Sequence, residues 1–362
     1  MNQPYYSPSE IPSEPPLAPI PSGGEEEPSH VRRHFSHLGL AYLAMTVAFT
    51  AAAYAVSFAV MYAFPALYGY WWFSWAVSLL PLYGVGLPTL WFCLKRVPAA
   101  PHNTLCPRDG LPAEKPPFGL RQWLILLVMA FGCTTLGSLM GNFIMTALSE
   151  ATGYDYAFAL NDMVNNTPVW FTAICTCICA PFGEELLFRK LLIDRTRRYG
   201  DFTAILLSGI LFGLFHSNLF QFFYAAMAGM ILAYVYTRTG KYLYCVAMHA
   251  SINFMGSVVS LGLSRLMAPL NDSTMSAGEA MAALANGRLM WAIGAALFLL
   301  VWQYGMLIAG IRLFCRHFRH RVLSTGKAVP PRLAALVWIN PGMIACVIIM
   351  LALTAVNLIP LR

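Results

Sequence analysis

The stretch CAPFGEELLFRKLL, residues 179–192, sets two adjacent glutamates, Glu184 and Glu185, and Arg189 directly after WFTAICTCICAPFG, residues 170–183, which carries no charge. Charge beside sequence of membrane grade is costly, and an ionisable residue inside a spanning segment reads as functional by default. Glu185 and Arg189 are one helical turn apart and can pair. Glu184 projects about 100° away from Glu185 on a helix, so the two carboxylates can take separate roles. Pro181 and Gly183, just upstream, can bend the helix or open its backbone.

The surrounding composition fixes the fold class. The chain has 362 residues, 58% hydrophobic and 11% charged, with a mean hydropathy of +0.60. Soluble domains carry about 25% charged residues, so this is an all-α, polytopic membrane helix bundle. Nine apolar runs, near 38–64, 72–94, 122–148, 168–187, 203–217, 219–237, 242–262, 289–311 and 333–360, reach or approach spanning length and give eight or nine transmembrane helices. A span needs about 20 apolar residues, so the short run at 203–217 and its immediate successor form a helical hairpin joined near His216-Ser217-Asn218. Four regions follow: a disordered, Pro- and Glu-rich cytoplasmic tail (1–33), N-terminal membrane helices with a Pro-rich loop (34–120), a core (121–265) and C-terminal membrane helices (266–362).

Lysine and arginine collect in alternate loops, at Arg32–Arg33, Lys95–Arg121, Arg189–Arg198, Arg238–Lys241 and Arg312–Arg332, whereas 149–168 holds Glu150, Asp155 and Asp162 and no basic residue. The positive-inside rule then predicts a multi-pass protein of the cell membrane with a cytoplasmic N-terminus. The net charge of +7 is a topology signal, and nucleic acid is not an expected partner. The nine cysteines contain no CxxC pair, and no disulfide framework is implied.

Two further polar sets lie within 70 residues of the first: Phe212 with His216, and His249 with Asn253, each at i, i+4 spacing. Helical rise puts His249 ~12 Å from Lys241, Glu184 roughly 15–20 Å from the Arg195–Arg198 cluster and His216 about 20 Å from Asp201, overlapping depths for one pocket below the cytoplasmic surface. A carboxylate with a histidine can deprotonate a water, and a histidine with an asparagine amide can donate to a developing oxyanion. Glu184, His216 and His249 are also a possible zinc set. Both arrangements predict amide or ester hydrolysis. The competing structural readings are a helix-end ion pair for the glutamates, a turn cap for His216 and interhelical hydrogen bonding for His249 and Asn253; the conjunction of all three sets favours a site.

At these residues the chain resembles the CPBP family of intramembrane proteases, also called the CAAX protease and bacteriocin-processing or Abi family. Its EExxxR, FxxxH and HxxxN motifs read here Glu184-Glu185-x-x-x-Arg189, Phe212-x-x-x-His216 and His249-x-x-x-Asn253, in family order over roughly residues 120–262. The resemblance implies that Glu184 activates water with help from His216, that His249 and Asn253 form the oxyanion hole, and that Glu185 and Arg189 support the site. It also implies a helical fold with a site open to the cytoplasmic side and the membrane. The family is described both as glutamate protease and as metalloprotease; a metal, if used, falls to Glu184, His216 and His249. Many members have glycine after the motif arginine, where this chain has Lys190.

The expected activity is an endopeptidase acting on a membrane-associated protein or peptide near the cytoplasmic face. The bilayer and that substrate are its expected partners. Prenylated proteins are the eukaryotic clients, and a bacterial chain need not share them. A non-catalytic interaction protein, such as a bacteriocin-immunity factor or scaffold, is the alternative. A proton-relaying transporter predicts inverted repeats, and none is visible. HExxH, GxSG and GxGD motifs are absent, which removes the other common intramembrane protease classes.

Overall fold

The computed structural model describes residues 27–99, 118–154, 156, 167–271, 276–319 and 332–359. The tail at 1–26, most of the Pro-rich loop and the basic stretch 320–331 lie outside them. The nine principal helices are α1 (Pro28–Ala63), α2 (Trp71–Leu94), α3 (Leu120–Thr152), α4 (Val169–Tyr199), α5 (Asp201–Phe215), α6 (Leu219–Thr239), α7 (Tyr242–Arg265), α8 (Arg288–Arg319) and α9 (Pro341–Asn357). They coincide with the nine apolar runs. Seven are long and apolar enough to cross a membrane, and α5 and α9 are shorter. Among the described residues every regular element is helical.

α1 begins at Pro28, several residues before the expected end of the tail at residue 33. Proline suits the first helical position, where its missing N–H has no acceptor to lose. The helix then runs through Arg32 and Arg33 into its apolar stretch.

The outer faces are apolar and exposed. On α8, Trp291, Leu297, Val301 and Ile308 are each more than half exposed, a surface that water would not tolerate and hydrocarbon would. Charge is buried instead: Glu185 and Arg189 are both fully enclosed. Small residues let helices approach. A Cβ on Gly132 of α3 would lie 2.6 Å from Gly310 Cα of α8, and one on Gly213 of α5 would lie 2.8 Å from the Phe222 carbonyl of α6. Such close approach is how helices pack where no hydrophobic drive joins them.

The bundle has two distinguishable ends. At one, His34 Nε2 meets the Arg195 carbonyl at 2.8 Å, Arg195 Nε donates to Val97 O at 3.0 Å, and Arg197 Nη2 donates to Thr237 O at 2.7 Å. This basic end gathers the start of α1 and the ends of α2, α4 and α6. At the other, Trp75 Nε1 donates to Thr167 Oγ1 and Arg265 Nη2 to Thr167 O, both at 3.0 Å. The hairpin expected at His216-Ser217-Asn218 is present: Asn218 caps α6 by accepting from the Gln221 N–H, and Ser217 turns the chain with φ of 48°.

Candidate functional site

The site is built on a helix whose ladder is broken twice. α4 contains π-helical turns at Ile174–Cys179 and Leu186–Leu191, flanking the segment Ala180–Glu185. In the first, the Ala180 N–H reaches back five residues to Cys175 O. Pro181 accounts for it, since proline has no N–H and its ring displaces the carbonyl four residues earlier. Nothing comparable in the sequence stands behind the second. Wide turns free backbone carbonyls, which must find donors inside a membrane bundle.

Other helices supply them. Tyr83 Oη of α2 donates to Cys179 O at 2.8 Å, and Tyr242 Oη of α7 donates to Phe182 O. Tyr42 Oη of α1 donates to Leu187 O at 2.6 Å, and Ser208 Oγ of α5 to Phe188 O at 2.8 Å. Asn253 Nδ2 of α7 donates to Thr176 O at 2.7 Å. Gly183 sits under Tyr83: a Cβ there would lie 2.0 Å from the tyrosine Cε1. α4 is thereby fixed in rotation by α1, α2, α5 and α7.

The two glutamates diverge as their spacing predicts. Glu185 lies between cation and imidazole, with Oε2 2.9 Å from Arg189 Nε and Oε1 2.8 Å from His249 Nδ1. Arg189 continues the chain through Nη1 to Ser208 Oγ at 3.1 Å and stacks its guanidinium 4.7 Å from the Phe212 ring centroid. Phe212 also meets both imidazoles edge-on, at 4.9 Å for His216 and 5.6 Å for His249. Lys190 is half exposed and paired with Asp194 at 2.6 Å, away from the reagents.

Glu184 faces the interior instead. Its Oε2 is 4.0 Å from His216 Nε2 and 3.8 Å from His249 Nε2, and it receives no hydrogen bond from the described residues. His249 Nδ1 faces a carboxylate and His216 Nδ1 faces the Phe212 carbonyl at 2.8 Å. Both partners only accept, so each Nδ1 carries a proton. The two Nε2 atoms are thereby turned toward one carboxylate oxygen of Glu184. A water donating ~2.8 Å hydrogen bonds subtends about 85–90° across gaps of this size, near its own geometry. Zinc bonds of about 2.0–2.2 Å would have to open to roughly 125–180°, against ~109° for tetrahedral coordination. Among the described residues no group of three His, Cys, Asp or Glu is arranged to hold a metal ion. The spacing suits a water better than a metal, and the chemistry below runs without one.

Glu184, Phe212, His216, His249 and Asn253 line one cavity of ≈ 490 Å³ with residues from α2, α4, α5, α6 and α7. Glu185 and Arg189 lie behind its wall. Ser208, the Thr176 carbonyl and Tyr83 were not legible in the sequence, because each acts across helices on a broken ladder. The sequence also suggested a pocket beneath the Arg-rich surface. The lining runs from Leu232, Glu184 and His249 in the middle of the bundle to Trp75, Ser257 and Ser264 toward the end remote from Arg195 and Arg197.

The fold and site define a multi-pass helical membrane protein with a polar cavity enclosed among its helices. Residues 166–255, which hold Glu184, Glu185, Arg189, Phe212, His216, His249 and Asn253, match the family model Rce1-like, described as type II CAAX prenyl endopeptidase Rce1-like. The match covers about a quarter of the chain and supports a CAAX/CPBP family intramembrane protease. No curated protein and no solved structure matches the chain.

Proposed function

We propose that the chain is an intramembrane endopeptidase in which Glu184 is the general base. The observation that carries this reading is the convergence of Glu184 Oε2, His216 Nε2 and His249 Nε2 within 4.0 Å across an otherwise unpartnered carboxylate oxygen. A water seated there donates one proton to Glu184 and is aimed by an imidazole lone pair. Its oxygen attacks the scissile carbonyl, and the carbonyl electrons move onto the oxygen of a tetrahedral intermediate. Collapse expels the amine, which takes the proton held by Glu184, leaving a carboxylic acid and an amine.

Asn253 spends one N–H on Thr176 O and keeps a second to offer the oxyanion. His249 can join it from Nε2 only when it carries both ring protons, a form that the Glu185 carboxylate at Nδ1 would accompany. Glu185 and Arg189 are positioning residues: they act through His249. The substrate is a protein or peptide held at the membrane, cut within the cavity.

The test compares peptide termini in membranes of cells carrying the wild type or Glu184→Gln at equal expression. New termini confined to the wild type are expected, with loss on the order of 10³-fold or more in the variant. Identical termini from the two would overturn the reading.

A further inference from the structure

The cavity has a second polar feature, on its α6 wall. Gln221, Tyr224, Ala225, Ala228 and Leu232 line it, at spacings of three and four that make one helix face. Two of them carry hydrogen-bonding groups, and these are bonded to each other, Gln221 Nε2 to Tyr224 Oη at 2.9 Å. Other lining hydroxyls are spent on their own helices: Thr176 Oγ1 donates to Thr172 O, Ser260 Oγ to Met255 O and Ser264 Oγ to Leu261 O.

One bond does not exhaust the pair. A glutamine amide has two donors and an acceptor, and a tyrosine hydroxyl has one donor and accepts as well. Whichever end of the amide meets the hydroxyl, at least one donor and one acceptor are left over, and no described residue takes them. Unmet polar groups are costly at membrane depth, so the occupant of the cavity has to meet them.

The pair is also held in place. Gly137 and Gly141 of α3 lie against it: a Cβ on the first would stand 2.5 Å from Tyr224 Cα, and one on the second 2.7 Å from Phe220 O. Asn218 Oδ1 accepts from the Gln221 N–H. Arg197 Nη2 reaches Thr237 O and sets the ends of α4 and α6 level. Glu184 precedes Arg197, and Tyr224 precedes Thr237, by the same number of residues, ~20 Å of rise in each helix. Tyr224 therefore stands at the depth of the general base.

An extended polypeptide suits such a pair. In an antiparallel ladder a hydrogen-bonded residue exchanges both its N–H and its C=O with one neighbour, so its donor and acceptor face the same way. Resting on the hydrolytic reading, we propose that Gln221 and Tyr224 form a subsite for the substrate main chain. They take the N–H and C=O of one extended residue close to the scissile bond, as a neighbouring strand would. The substrate class is a polypeptide unwound beside the bond to be cut and read there by its backbone rather than by a side chain.

The test uses a synthetic peptide spanning a bond that the wild type cuts in cells and Glu184→Gln does not, with copies in which an ester replaces one non-scissile amide at a time. An ester has no N–H to give. With the purified wild type in detergent, one ester position close to the cut should raise KM at least tenfold and leave kcat within about twofold, the mark of lost uniform binding. Gln221→Met and Tyr224→Phe keep the shapes and remove the groups. Each should raise KM for the all-amide peptide, and in the double variant the same ester should add less than about twofold. The ester-to-amide ratio is taken within each variant, so a smaller folded fraction cancels, and the single variants carry the comparison if the double one does not fold. Equal ester penalties in wild type and variants, or none in either, overturn the subsite and leave the hydrolytic reading standing. A wild type that cuts nothing in a Glu184-dependent way overturns both.

Discussion

Glu185 holds two partners at once, Arg189 at 2.9 Å and His249 at 2.8 Å, without any exposure to solvent. Removing one member of a buried charged set leaves the others uncompensated, which costs about 3–5 kcal/mol. Glu185→Gln should therefore lower the unfolding midpoint in detergent and cut turnover, because His249 loses the carboxylate that fixes its ring. Adding Arg189→Gln should cost less than the sum of the two single changes, since both ends of the pair are then gone; strict additivity would show that the pair is not coupled. Asn253→Ala should act twice, freeing the Thr176 carbonyl and weakening turnover, whereas Thr176→Val should spare turnover because Asn253 meets its backbone carbonyl and its hydroxyl bonds only within α4. The pairs Glu185–Arg189, Phe212–His216 and His249–Asn253 were legible because i, i+4 patterns place residues on helix faces. Ser208 and Thr176, which meet Arg189 and Asn253, were not, because a contact between helices leaves no period in either one.

The helices themselves followed from the apolar runs, even to the hairpin at His216–Asn218. What escaped was the local geometry of α4. Pro181 announced a disturbance, yet the π turn over Leu186–Leu191 has no comparable signal, and it swings Arg189 to where Ser208 can meet it. The donors on the freed carbonyls make α4 rigid at a place where helices are usually weak. Tyr83→Phe removes one such donor and should cost about 1 kcal/mol, read as a lower unfolding midpoint with the cleavage pattern retained. Gly183→Ala is more severe. Its Cβ would overlap the Tyr83 ring, so either that ring leaves the Cys179 carbonyl or α4 rotates and Glu184 with it. Turnover should fall sharply, and the pair Gly183→Ala with Tyr83→Ala should recover part of it; no recovery would mean that Gly183 is needed for another reason.

Across the whole molecule, the core that carries the site is separable from the helix that shields it. α8 packs against α3 through Gly310 and Gly132 and contributes nothing to the cavity. Gly310→Leu overpacks that contact and should destabilise by about 1–3 kcal/mol, while the protein that remains folded should keep its turnover per molecule. A matching loss of turnover would show that α8 helps to form the site.

α9 runs from the basic end, where the Gly342 N–H donates to Ser36 Oγ at 3.1 Å, to the far end, where Asn357 Nδ2 donates to Ser217 O at 2.8 Å. Ser217 is the left-handed residue next to His216, so the last helix braces the turn that aims a reagent. The two ends of the chain are consequently unequal as handles. An affinity tag or fluorescent fusion belongs on the amino-terminal side, where it hangs from the start of α1, whereas one joined after Asn357 would tug on the turn beside His216 and blunt the protein under study.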